Sequence, residues 1–70
     1  MEIEWVEGFE IRVVIDNNDA VVLSANKEGL LSLAKQLTAL AETVPGSHIH
    51  YDEYNSLEDG SVEMIVERIE

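Results

Sequence analysis

FEIRVVIDNNDAVVLSA, residues 9–25, decides the fold. Two β-branched apolar runs flank the polar tetrad Asp16-Asn17-Asn18-Asp19, which is the pattern of a β-hairpin. Asn17 and Asn18 tolerate positive φ better than most side chains do, so they suit the centre of a tight primed turn. A two-residue loop at that point sets Ile11 opposite Ser24, Val13 opposite Val22 and Ile15 opposite Ala20. Val14 and Val21 then share the other face. Upstream, EIEWV reads as a short edge strand or as a lead into the first strand, with Gly8 at a bulge or bend.

Downstream of the hairpin the apolar period changes from 2 to about 3.6 residues. In NKEGLLSLAKQLTALAE, Leu30, Leu33, Ala34, Leu37, Leu40, Ala41 and the following Val44 form one stripe, which predicts an amphipathic helix over Lys27–Glu42. Asn26 is a suitable N-cap and Glu28 complements the positive end of the helix dipole. Gly29 in the first turn weakens the helix by up to about 1 kcal/mol relative to alanine. Pro45-Gly46 ends it, and SHIHYDEY and SVEMIVERI then alternate again around the turn chemistry of Asp59-Gly60.

The expected class is therefore α+β: two β-hairpins joined by one amphipathic helix (ββαββ), forming a four-stranded, largely antiparallel sheet with the helix on one face. A 16-residue helix spans about 24 Å, the length of a seven-residue strand. The third strand can then start where the second did, giving spatial order 2-1-3-4, with 2-1-4-3 as the alternative. One helix covers one face. Val14, Val21 and Leu23 are left on the other, with either Val62, Met64 and Val66 or Ile65 and Ile69 from the last strand. An uncovered apolar face of that kind marks association, so a second copy (a homodimer) or another partner is expected on it.

Residues 1–70 read as a single small domain, which buries only about 60% of its unfolded surface. The absence of cysteine points to a reducing, cytoplasmic setting. MEIEWVEG is acidic where a signal peptide is basic, and no apolar run approaches the roughly 18 residues of a membrane span. Fifteen Asp and Glu stand against four Lys and Arg (Arg12, Lys27, Lys35, Arg68), for a net charge of -11. That density repels phosphate backbones and anionic membranes, and it fits either simple solvation or a basic protein partner.

The two histidines raise the question of chemistry. On a strand, His48, His50 and Asp52 share a face, and two imidazoles with one carboxylate could ligate zinc or a similar ion, with hydrolysis conceivable at an open coordination position. A bare H-x-H without a remote fourth ligand more often belongs to an ordinary polar strand face. A His50-Asp52 base beside Ser47, Ser56 or Ser61 lacks a nucleophile elbow, a phosphate loop and an oxyanion group, so no enzyme and no cofactor are expected. Phe9 and Tyr51 read as core residues. Trp5 and Tyr54 sit among acids and suit anchors for a protein partner.

Acid concentrates at the two ends of the chain. Asp52, Glu53, Glu58, Asp59, Glu63, Glu67 and Glu70 face one base, Arg68, while Glu2, Glu4, Glu7 and Glu10 lie in the first ten residues. If the amino-terminal segment lies near the second hairpin, the two form one electronegative surface. The expected partner-binding residues are Trp5, His48, His50, Asp52, Glu53, Tyr54, Glu58 and Asp59.

SANKEGLLSLAKQLTALAE, then PGSHIHYDEYNSLEDGS, then a strand ending in VERI, resembles immunity-protein family thirty-two of bacterial polymorphic toxin systems over roughly residues 20–69. The most specific part is P-G-S-H-x-H followed by N-x-L-E-x-G-S: Pro45, Gly46, Ser47, His48, His50, Asn55, Leu57, Glu58, Gly60 and Ser61. The resemblance implies a small non-enzymatic α+β protein that neutralises a cognate toxin domain by binding it in the cytoplasm of the producing cell, with no cofactor. MEIEWVEGFE lies outside the pattern, so a binding role for Trp5 rests on its chemistry alone. A divalent-metal protein or small hydrolase built on His48, His50 and Asp52 is the alternative from another class, and a self-associating domain without a toxin is a third.

Overall fold

The computed structural model describes residues 1–70. Its elements are β1 (Ile11–Ile15), β2 (Val21–Ala25), α1 (Lys27–Ala41), β3 (His48–Tyr51) and β4 (Met64–Glu67), so the α+β class and the ββαββ order are those expected.

The first hairpin is paired one residue out of the expected register: Ile11 lies opposite Ala25, Val13 opposite Leu23 and Ile15 opposite Val21. The cause is the turn. Asp16 N-H donates to Ala20 O at 2.9 Å, and Asp19 takes φ 62°, so the loop is Asn17-Asn18-Asp19 rather than Asn17-Asn18. Asp16 Oδ1 accepts from Asn18 N at 2.8 Å and Ala20 N at 3.0 Å, which fixes the longer loop, and aspartate tolerates the left-handed conformation it needs. A one-residue shift moves every β2 side chain to the other face. Val21 and Leu23 thus join the helix-side face of Ile11 and Val13, and Val22 takes their expected place beside Val14.

Asn26 caps α1 as expected, its Oδ1 accepting from Gly29 N at 2.7 Å. The same side chain accepts from Glu10 N and donates to Gly8 O, so it also ties down the chain entering β1. The buried line of α1 is Gly29, Ser32, Leu33, Gln36 and Leu40, rotated by roughly a quarter turn from the expected stripe. Leu30, Ala34, Leu37, Ala41 and Val44 are exposed. The amino-terminal segment causes the rotation. It forms no strand but runs along α1, where Ser32 Oγ accepts from Val6 N at 2.8 Å and Gln36 Nε2 donates to Glu4 O at 2.8 Å. Those polar side chains are therefore satisfied while fully buried.

The strands make two separate two-stranded antiparallel sheets, β1-β2 and β3-β4, and not the single four-stranded sheet expected. The order 2-1-3-4 does not form. β1 instead meets the segment leading into β4, with Glu58 N donating to Ile11 O at 2.9 Å and Val62 N to Val13 O at 2.8 Å. A regular parallel ladder would have Val13 N-H answer the carbonyl of residue 60, but it donates to Ser61 Oγ at 3.1 Å. Gly60 takes φ 89° at this point, and a side chain closes what a ladder would otherwise continue.

The core is Ile11, Val13, Leu33, Leu40, Ile49, Tyr51 and Leu57, with Trp5, Phe9, Ala25, Met64 and Val66 packed around it. Ile49 and Tyr51 point inward, as strand alternation predicts. Met64 and Val66 also point inward, which leaves Ile65 on the outer face of β4.

Candidate functional site

The outer face of β3 carries His48 and His50, both exposed, because Ile49 and Tyr51 take the alternating inward positions. Their rings meet edge to face with centroids 4.9 Å apart. In the antiparallel register His48 lies opposite Glu67 and His50 opposite Ile65. His50 Nδ1 stands 3.7 Å from Glu63 Oε2, an imidazole-carboxylate contact that is an ion pair only when the ring is protonated. The face therefore assembles two imidazoles, two carboxylates and one exposed isoleucine. Glu63, Ile65 and Glu67 were missed by sequence reasoning because their place depends on the β3-β4 register, which alternation within β3 alone does not give.

Asp52 does not join this face. Its Oδ1 accepts from Tyr54 N at 2.9 Å and Asn55 N at 3.0 Å, and its carbonyl accepts from Ser56 N and Leu57 N. The carboxylate is thus spent on forming the turn, the usual use of an Asx side chain. No group of three His, Asp or Glu side chains is arranged to hold a metal ion, so the alternative His48-His50-Asp52 set is not brought together.

The loop from Asp52 to Ser61 is held from within. Asn55 Oδ1 accepts from Asp52 N and its Nδ2 donates to His50 O, while Glu53 Oε2 accepts from Gly60 N at 2.7 Å. Leu57 anchors the loop in the core. Tyr54, 96% exposed, and the exposed Glu58 and Asp59 side chains project from this frame. Tyr54 makes no side-chain contact that explains an aromatic ring there, and a ring left in water invites a partner.

Trp5 is placed otherwise. It stacks on Phe9 with centroids 4.2 Å apart and meets Tyr51 edge-on at 6.4 Å, half-buried on the core side of β3. The amino-terminal segment does lie against the second hairpin, but Trp5 and the histidines occupy opposite sides of β3. The expected binding residues therefore fall into three groups: the outer strand face, the loop frame with its projecting tips, and an aromatic cluster beneath.

The electrostatics of this surface are one-sided. No carboxylate of the chain lies within ion-pair distance of a lysine or arginine. Arg68, the one base of the second half, donates instead to the carbonyls of Glu70 and Thr43. No helix is long and apolar enough to cross a membrane.

Neither the curated proteins nor the solved structures contain a match to this chain. The family model described as Immunity protein 32 matches residues 20–69, which include β2, β3 and β4, the helix and the Asp52–Ser61 loop. Residues that carried the sequence resemblance now have visible tasks, among them Asn55 and Ser61 in hydrogen bonds, Leu57 in the core and Gly60 at positive φ. By that match, extending over more than half of its length, the chain belongs to the Immunity protein 32 family.

Proposed function

We propose that this protein neutralises a cognate bacterial toxin domain by binding it, in the cytoplasm of the producing cell and without catalysis or cofactor. Family membership carries this reading. The contact surface is the outer face of β3-β4 together with the loop tips: His48, His50, Tyr54, Glu58 and Asp59, joined by Glu63, Ile65 and Glu67. Asp52 and Glu53 shape the loop from behind, and Trp5 supports β3 from the core side.

Carboxylates with no intramolecular lysine or arginine partner favour a basic partner surface, such as the substrate groove of a nuclease, and they act chiefly on association rate and specificity. An exposed tyrosine and isoleucine within that field supply the apolar anchors that charge alone lacks.

The test is titration calorimetry against the toxin domain encoded beside this protein's coding sequence. Tight 1:1 binding per chain that weakens as salt rises, and weakens further in Glu58→Gln/Asp59→Asn, is expected. No binding to that domain would remove the proposal. Salt-independent binding would remove only its electrostatic part.

A further inference from the structure

We infer that the outer edge of β2 is a self-association site, at which a second copy of this chain adds its own β2 antiparallel to the first. The observation that points there is a row of unpaired main-chain groups. Asp16-Ala20 and Glu10-Asn26 are bonded pairs at the two ends of the β1-β2 ladder, so the bonded positions of β2 are Val22 and Ser24. Val21, Leu23 and Ala25 must then turn their N-H and C=O away from β1. The far side of β1 confirms this phase, because Ile11 and Val13, opposite Ala25 and Leu23, also bond outward, to Glu58 and to Ser61 and Val62.

Exposed edges of this kind are normally blunted by charge, proline or a bulge. From Ala20 to Asn26 this strand has none of these in a chain of net charge -11. Two of its three outward-bonding residues carry exposed apolar side chains, Val21 at 67% and Leu23 at 37%.

The sequence of the edge selects its occupant. A two-fold axis at Leu23 puts Leu23 opposite Leu23 of the partner subunit, and Val21 opposite Ala25 of the partner subunit, so every outward group is used in about six inter-chain hydrogen bonds. The same register brings Asp19, at the hairpin tip, to the strand end where Lys27 of the partner subunit opens its helix. This happens twice by symmetry. Lys27 has no carboxylate partner within its own chain. A two-fold axis at Val22 instead would use fewer groups and leave both charges unmatched. Pairing through the outer face of β3-β4 is less suitable for two identical chains, because Glu63 and Glu67 would add negative charge to the contact in a chain of net charge -11.

β2 lies on the far side of β1 from the β3-β4 hairpin, so the dimer is a continuous 1-2-2-1 sheet that leaves both His48-His50 faces open. The assembly is then bivalent for whatever those faces bind.

Sedimentation equilibrium of the purified chain from 1 to 200 μM (about that range), in ~0.15 M salt, tests the inference without any toxin. A twofold mass at the upper end is expected. Leu23→Pro removes an outward N-H and no β1 bond, and proline is tolerated on such an edge, so it should give a folded monomer by circular dichroism. Lys27→Glu should weaken dimerisation by roughly ten-fold through its two symmetric contacts. Adding Asp19→Asn, which suits the positive φ there, should recover part of that loss. A monomeric mass throughout overturns the inference. So does a dimer that survives Leu23→Pro and is indifferent to Lys27→Glu.

Discussion

The Tyr51 hydroxyl donates to Gln36 Oε1 at 2.7 Å inside the core, and Gln36 passes the connection on by donating from Nε2 to Glu4 O at 2.8 Å. One buried relay thus joins β3, α1 and the amino-terminal segment. Tyr51→Phe leaves the Gln36 oxygen buried without a donor, which costs about 1–3 kcal/mol. Urea denaturation should show that loss, and Tyr51→Phe combined with Gln36→Leu should be less destabilised than additivity predicts, because it removes both ends of the bond.

Alkaline pH should act on the same residue. Burial raises the Tyr51 pKa above its ordinary value near 10. A raised folded-state pKa means that the native state favours the neutral phenol, so this contribution is fully present below pH ~10 and is lost as pH rises through the folded-state value. Stability measured from pH 9 to 11.5 should fall, and it should fall less steeply in Tyr51→Phe.

Gly29→Ala should destabilise the protein although it improves helix propensity. A Cβ at this position would stand 2.5 Å from Glu10 O, 2.9 Å from Ile11 Cγ1 and 3.0 Å from Ala25 Cβ. The propensity gain is at most about 1 kcal/mol, whereas overpacking against main chain costs about 1–3 kcal/mol. A lower melting temperature is expected, and an unchanged or higher one would show that α1 can shift away from β1.

Ser61→Ala should loosen the joint between the two sheets. It strips the acceptor from Val13 N-H, which then has no partner on that side. Hydrogen exchange at the Val13 amide should accelerate several-fold more than at Val14, whose bonds lie within the hairpin, and global stability should drop by about 1–2 kcal/mol.

Tyr54→Ala should leave stability within about 0.5 kcal/mol, as expected of an exposed side chain without packing partners. Affinity for the cognate toxin should nevertheless fall by at least about 1–2 kcal/mol if the ring is the anchor that the proposed surface gives it.

The elements were legible in the sequence where local chemistry dominates: the DNND turn region, the Asn26 cap, the Pro45-Gly46 stop and the alternation that buries Ile49 and Tyr51. What the sequence did not disclose was set by contacts between distant segments. The Asp16 carboxylate lengthened a turn by one residue and so exchanged the faces of β2. Ser32 and Gln36 counted as polar, and hence outward, until the amino-terminal segment supplied their partners. The sheet was expected to be continuous because the period-2 pattern does not reveal that a serine hydroxyl can take a carbonyl's place. The histidine face was half-legible: alternation placed His48 and His50, but Glu63, Ile65 and Glu67 needed the β3-β4 register.

The Asp52–Ser61 loop separates the residues that hold its shape from those that project from it. Asp52, Glu53, Asn55, Leu57 and Ser61 carry the frame, whereas the side chains of Tyr54, Glu58 and Asp59 bear no part of it. Such a loop can diverge quickly at its tips while its conformation is inherited unchanged. Under the proposed toxin-binding function, that division lets recognition drift without the fold having to be rediscovered each time.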